Sequence, residues 1–242
     1  MSHTSRSLTP LFSPRSVAIV GATENPRKWG YALAQGALRG QARRPFYFVN
    51  HRATELFGQP VYASAGELPA PPELVVIAVP LPALAAAVDD ALSCGARAIV
   101  AITAGSDERA DAALAVRVRE AGAVLLGPNC LGVLDSGEGL ELASSPLPAG
   151  SIGLISQSGN LALELGLLAE AEGLGFSRFA SLGNQADLSV TDLVTDFAQH
   201  QATELIALYV EDFRDGRAFV TAAAAAAAAG KPVVALAIAQ GE

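Results

Sequence analysis

Short runs of residues that are apolar on both faces recur along the chain, and Ala- and Leu-rich stretches fill the intervals between them. This alternation restricts the fold more than any other feature. Strands are predicted at residues 17–20, 46–50, 74–79, 98–103 and 123–126, with helices at 29–39, 82–94 and 107–121 between them. A strand with no polar face belongs to a parallel sheet covered by helices on both sides. Helical crossovers between parallel strands give a doubly wound α/β fold. Residues 135–150 change character, with Gly137, Gly139, Pro146, Pro148 and two serines close together. They read as an irregular connection. The pattern then restarts, with strands at 151–155, 176–181, 205–210 and 232–237 and helices at 160–172, 190–199 and 215–229. Two domains are expected, 1–143 and a smaller 144–242. The eight alanines from Ala222 to Ala229 read as a crossover helix, with Gly230 as its cap and Pro232 preventing continuation.

Hydrophobic residues make up 51% of the 242, enough to build a large core and to argue against disorder. The formal net charge of -8 argues against a nucleic-acid binder, which needs a basic surface, but leaves room for a local basic pocket. Two cysteines, Cys94 and Cys130, are not a disulfide framework and fit a reduced cytoplasm. The first sixteen residues have no apolar core, so no signal peptide is expected. The longest apolar stretch, 74–88, is interrupted by Pro80 and Pro82, so no membrane span is expected either.

Three loops fall at the carboxyl edge of the first predicted sheet. Gly21, Ala22 and Thr23 follow the first strand, where a glycine lets backbone approach a ligand phosphate and a helix N-terminus favours anions. The run is not GxGxxG, and a tight turn without a ligand is the other reading. The second strand ends Asn50-His51-Arg52. NAD-binding folds place an acid there. A basic residue instead suits a ligand with an extra ribose phosphate, as in NADP or CoA, or is simply exposed. Asn129 and Cys130 lie in the third loop, residues 127–132. Cys130 reads as a nucleophile or as a small buried residue.

The second domain opens on Ser156-Gln157-Ser158-Gly159 before an apolar helix, an arrangement suited to a phosphate or oxyanion. Ordinary helix caps are the alternative. A serine hydrolase is disfavoured, because GxSxG is absent and His200 is the only histidine in this half. Glu211 and Asp212 end an apolar strand at the same edge, where a carboxylate orients or deprotonates a partner group or faces water.

Together these runs resemble the NDP-forming acyl-CoA synthetases, relatives of the succinyl-CoA synthetase α subunit. The matching segments are 16–22, 28–31, 74–80, 127–132, 155–159 and 181–187, in order, within a span from about Leu11 to Leu236. The resemblance implies a Rossmann-like CoA-binding domain followed by a flavodoxin-like parallel α/β domain. It also implies the reversible conversion of acyl-CoA, NDP and phosphate into acid, CoA and NTP through a phosphohistidine. By that resemblance Gly21, Ala22, Thr23, Asn50 and Arg52 contact CoA, Val79 and Pro80 wall its adenine side, and Asn129 and Cys130 lie near its thiol. Ser156, Ser158 and Gly159 hold phosphate, and Glu211 orients the histidine.

Two departures stand out. His51 replaces a common proline, and none of His3, His51 and His200 matches the family's phosphohistidine. Nucleotide and magnesium are expected to enter only through an ATP-grasp domain supplied by a β-subunit-like partner or by residues outside this sequence. The chain is then a partial acid–CoA ligase, inactive alone, or a non-catalytic CoA or acyl-CoA binding module. An NADP-dependent reductase is weakened by the missing GxGxxG.

Overall fold

The computed structural model describes residues 6–105 and 107–238. A one-turn helix, α1 (Thr9–Phe12), leads into β1 (Val17–Val20), α2 (Trp29–Arg39) and β2 (Phe46–Val49). A short hairpin follows, β3 (Glu55–Leu56) and β4 (Gln59–Tyr62). The unit continues with β5 (Leu74–Ile77), α3 (Leu81–Ser93), β6 (Ala98–Ala101), α4 (Glu108–Glu120) and β7 (Val124–Leu126). The sheet order is β3-β4-β2-β1-β5-β6-β7, parallel except for β3. The chain leaves β1 toward β2 on one side and returns to β5 on the other. Such a reversal opens a crevice at the carboxyl ends of the strands.

The second sheet contains β8 (Gly132–Asp135), β9 (Leu140–Ala143), β10 (Ala149–Ser156), β11 (Phe176–Ser181), β12 (Leu205–Val210) and β13 (Val233–Ala237). Its crossovers are α5 (Gly159–Ala171), α6 (Val190–Gln199) and α7 (Gly216–Ala228). The order is β13-β12-β10-β11-β8-β9. β13, β12, β10 and β11 pair in parallel, and β8 is antiparallel to both its neighbours, β11 and β9. Ser189 and Asp192 form a capping box that starts α6. The alanine run does form a helix, α7, and Gly230 follows it with a positive φ of 81°.

Part of the span 135–150, expected to be irregular throughout, is regular: β9 pairs with β8 in a hairpin, while 144–148 carry no regular element. Gly139, with φ of 60°, serves the turn of the β8–β9 hairpin, and a Cβ at Gly132 would collide with the Leu142 carbonyl oxygen across it. The glycines here permit close strand pairing rather than a flexible link. The second sheet takes up the chain from Gly132.

The two sheets share packing. One apolar cluster joins Phe12, Val76 and Val100 to Val133, Phe197 and Ile206. Residues 186–188 run along β7, the last strand of the first sheet. Ala186 and Leu188 N–H donate to the carbonyls of Gly127 and Leu125, at 3.2 Å each. Between them the Asp187 carboxylate, wholly buried, accepts from Leu125 N–H at 2.9 Å. It also accepts two bonds from Arg6, at 2.7 and 2.9 Å, and one from Arg119 at 3.2 Å. Among the described residues no helix is long and apolar enough to cross a membrane.

Candidate functional site

The carboxyl ends of β1, β2, β5 and β6 converge on a cavity of about 500 Å³. The loop after β1 is shaped by close approach. Gly21 has φ of 91°, and a Cβ there would collide with the Ala78 carbonyl oxygen beyond β5. A Cβ on Gly30, in the first turn of α2, would collide in turn with the Gly21 carbonyl oxygen. These two glycines seat the helix N-terminus directly on the loop. Lys28 precedes α2 in extended conformation, and no side chain caps the helix. Its first N–H groups, unpaired within the helix, lie beside Arg27 and Lys28 at the cavity.

Other side chains fix the rim. Asn50 Nδ2 donates to the Ala22 carbonyl at 2.8 Å, tying the first loop to the second. Its Oδ1 accepts from Arg52 N–H at 2.9 Å. Thr103 Oγ1 donates to the Val79 carbonyl at 2.9 Å, holding the ends of β5 and β6 together. Arg52 Nε lies 3.2 Å from His51 Nε2. Three cations, Arg27, Lys28 and Arg52, line the cavity, and among the described residues no carboxylate does. Glu24, on the same loop, instead accepts from Phe57 N–H at 2.7 Å. In a chain of net charge -8 this local sign is the reverse of the global one.

The structure brings Gly21, Thr23, Asn50, Arg52, Val79 and Pro80 to this one cavity. It does not bring Ala22, Asn129 or Cys130. The Ala22 side chain is buried, and only its carbonyl is engaged. Cys130 is 3% exposed, and its thiol donates to the Ala101 carbonyl at 3.3 Å. Burial pushes that thiol up to about 12, so it is a protonated core group and not a nucleophile. Asn129, with φ of 59°, bonds Asn184 of the second unit at 3.2 Å. Asn184 in turn donates to Asp111 at 2.8 Å. Burial raises the Asp111 carboxyl, and the Asn184 bond partly offsets this.

Ser156, Ser158, Gly159 and Glu211 meet at the carboxyl edge of the second sheet, apart from the cavity. The Ser156 hydroxyl turns back to the Ser158 carbonyl at 2.6 Å, and Ser158 caps α5 through Leu161 N–H at 3.4 Å. Gly159 makes room for Leu131, whose side chain a Cβ would meet at 2.9 Å. Glu211 is exposed just after β12. His200 lies at the other edge, before β12. Its Nδ1 pairs with Thr203 at 2.9 Å, and Asp135 lies 3.6 Å from its Nε2. Burial and the neighbouring Arg178 lower its pKa.

Sequence reasoning missed Arg27, Lys28 and Trp29 as lining groups, although 28–31 was among the matching segments. Two adjacent basic residues immediately before a helix start were the available signal.

These features define a doubly wound α/β unit with a basic cavity at its switch point, joined to a second α/β unit. Residues 15–136 match the family described as a CoA binding domain, and residues 149–242 match the succinyl-CoA ligase like flavodoxin domain. The chain belongs to the CoA-binding-domain family, in the arrangement of the NDP-forming acyl-CoA synthetases. It is 34% identical over 232 residues to the alpha subunit of ADP-forming acetate–CoA ligase II from Pyrococcus furiosus, covering 93% of this chain and 50% of that one. It is also 34% identical over 239 residues to trans-feruloyl-CoA synthase FCS1 from an unknown prokaryotic organism, covering 93% and 34%. A solved structure of dinucleotide forming acetyl-coenzyme A synthetase 1 from Ca. Korarchaeum cryptofilum, in complex with phosphate and ADP, matches with a TM-score of 0.90 at 30% identity. That match covers 96% of this chain and 52% of the other. The chain spans about half the length, or less, of these relatives.

Proposed function

We propose that the chain is the CoA-binding portion of an NDP-forming acid–CoA ligase, converting acyl-CoA, NDP and phosphate to acid, CoA and NTP, reversibly. The carrying observation is the cavity: three cations, an uncapped helix N-terminus and no carboxylate at the switch point of a doubly wound sheet. CoA is a polyanion with an apolar arm, and these residues fit it. Arg52 is assigned to the ribose phosphate, Gly21 and Thr23 to the diphosphate, and Val79 and Pro80 to the adenine side. Nucleotide and magnesium belong to an ATP-grasp domain or β-subunit-like partner. A cytoplasmic location accords with two free cysteines.

Titration calorimetry with CoA, NAD and NADP tests the ligand. CoA is expected to bind tightest, and tighter binding of NADP would overturn the assignment. Arg52→Ala is expected to weaken CoA roughly tenfold and dephospho-CoA little, because a charge-assisted bond to phosphate contributes roughly 1.5–3 kcal/mol. Equal losses for both ligands would remove Arg52 from that role.

In the same reading Ser156, Ser158 and Gly159 hold phosphate and Glu211 orients a phosphorylated histidine. Neither described histidine stands there. His51 lines the CoA cavity, and six residues of β12 put His200 about 20 Å from Glu211. The purified 242-residue chain is therefore expected to bind CoA but to form no thioester from a panel of acids with ATP and magnesium. Turnover that survives His200→Ala would refute this, and turnover abolished by that change would make His200 the carrier. The same geometry favours a second reading, a non-catalytic CoA-binding module. Activity on adding an ATP-grasp partner that brings the histidine loop separates the two.

A further inference from the structure

The main-chain N–H of Gln157 continues the second sheet by donating to the Tyr209 carbonyl at 3.0 Å. Its side chain does something else. Oε1 accepts from the main-chain N–H groups of both Glu211 and Asp212, the latter at 2.9 Å. An amide oxygen has two lone pairs, and here both are occupied. The two donors also fix how the amide is turned, since its NH₂ end cannot face them. From the other side Gln185 Nε2 donates to the Asp212 carbonyl at 2.9 Å, while its Oε1 takes Val190 N–H at 3.1 Å. Glu211 therefore opens a turn gripped by glutamines from the loops after β10 and β11.

The Gln157 end of that grip adjoins the N-terminus of α5. There is no acidic residue in the first turn of α5, and its only side-chain cap is the long bond from Leu161 N–H to Ser158. An independent mark comes from Ser181, which is 1% exposed with a hydroxyl that has no hydrogen-bond partner. Ser181 is the register partner of Ser156, so both side chains leave the sheet on one face. Leu154 and Phe179, two residues earlier on each strand, pack with Ala162 of α5, so that face lies under α5. A buried, unpaired hydroxyl on the face under α5, at the strand ends where that helix begins, is an open hydrogen-bonding group suited to an anion.

We infer that Gln157 is a positioning residue whose side-chain carbonyl sets the place of the Glu211 carboxylate relative to an anion at the N-terminus of α5. The inference rests on the reading of Ser156, Ser158 and Gly159 as the phosphate cradle. A carboxylate fixed near a phosphate repels it unless a cation lies between them. Free inorganic phosphate therefore binds this chain less tightly than it would with a neutral side chain at position 211, and the clamp is what makes that repulsion local and constant.

Phosphate titrations of the 242-residue chain, followed by ³¹P NMR, test this in four proteins: wild type, E211Q, Q157M and the double variant. E211Q is expected to tighten phosphate about fivefold in the wild-type background. In the Q157M background the same change is expected to give less than about twofold, because the main chain that carries the Glu211 side chain is no longer held. A glutamine that only stabilised the fold would leave the two E211Q effects equal, and equality overturns the inference while the phosphate site stands. Absence of phosphate binding by the wild type overturns both. A measurement on the wild type alone covers the case in which Q157M does not fold. The amides of Glu211 and Asp212 are expected to be protected from hydrogen exchange, and free exchange at both overturns the clamp.

Discussion

Replacing Asp187 with alanine is expected to destabilise the protein by about 3 kcal/mol, the low end of what removing one partner of a buried ion pair costs. The low end applies because Arg6 and Arg119, its partners, keep 31% and 46% of their side-chain surface in water. What they lose is replaced in part by hydration. Leu125 N–H has no such recourse. It is buried in β7, and the carboxylate stands in for the acceptor that a neighbouring strand would supply. Asp187→Asn keeps an oxygen for that N–H and loses only the charge, so it is expected to cost about half as much. Urea denaturation of both variants is the measurement. A loss below about 1 kcal/mol for alanine would mean that the contact does not hold the second unit to the edge of the first sheet.

The same residue shows where sequence reading stops. The segment 181–187 was among the matching runs, yet nothing in it announced that its aspartate would cap the edge of another sheet. Such a role depends on which strand the loop passes, and that is a tertiary fact. The regular elements were legible for the opposite reason. β1, β5, β6 and β12 are continuous apolar runs, and α2, α3 and α4 lie between turn signals, so pattern alone bounds them. The β8–β9 hairpin and the β3–β4 hairpin were not. Each is short and interrupted by glycine, and Phe57 and Gly58 both take positive φ in a tight turn that composition reports only as a loop.

The candidate site divides in the same way. Gly21, Thr23, Asn50, Arg52, Val79 and Pro80 follow strands at one sheet edge, and the doubly wound rule places strand ends together whatever their side chains do. The rule does not say which way a side chain points. Ala22 and Cys130 sit in those loops but turn inward, because a small apolar group and a thiol gain by leaving water. Arg27 and Lys28 turn outward to the cavity from just beyond the run that was read as the loop.

The cavity proposed for CoA is expected to lose most of its affinity to a single methyl group. Gly21→Ala adds a Cβ where the Ala78 carbonyl oxygen already sits, at a φ of 91° that non-glycine residues rarely adopt. The loop has no free direction in which to yield. Gly30 packs on its carbonyl oxygen from one side and Asn50 holds Ala22 from the other. The strain is relieved only by moving the loop, and with it the first N–H groups of α2. Those groups are the backbone donors that the proposed diphosphate site relies on. A displacement near 1 Å there is enough to lengthen several hydrogen bonds together, so CoA affinity is expected to fall by about 100-fold, equivalent to roughly 2.7 kcal/mol. Gly216→Ala supplies the control, because a Cβ at that helix start meets nothing within 4 Å and no positive φ is involved. Calorimetric titration of both variants, each with its thermal melt, reads the result. If G21A is folded and binds CoA within about threefold of the wild type, the backbone of the β1–α2 loop is not the phosphate-binding element.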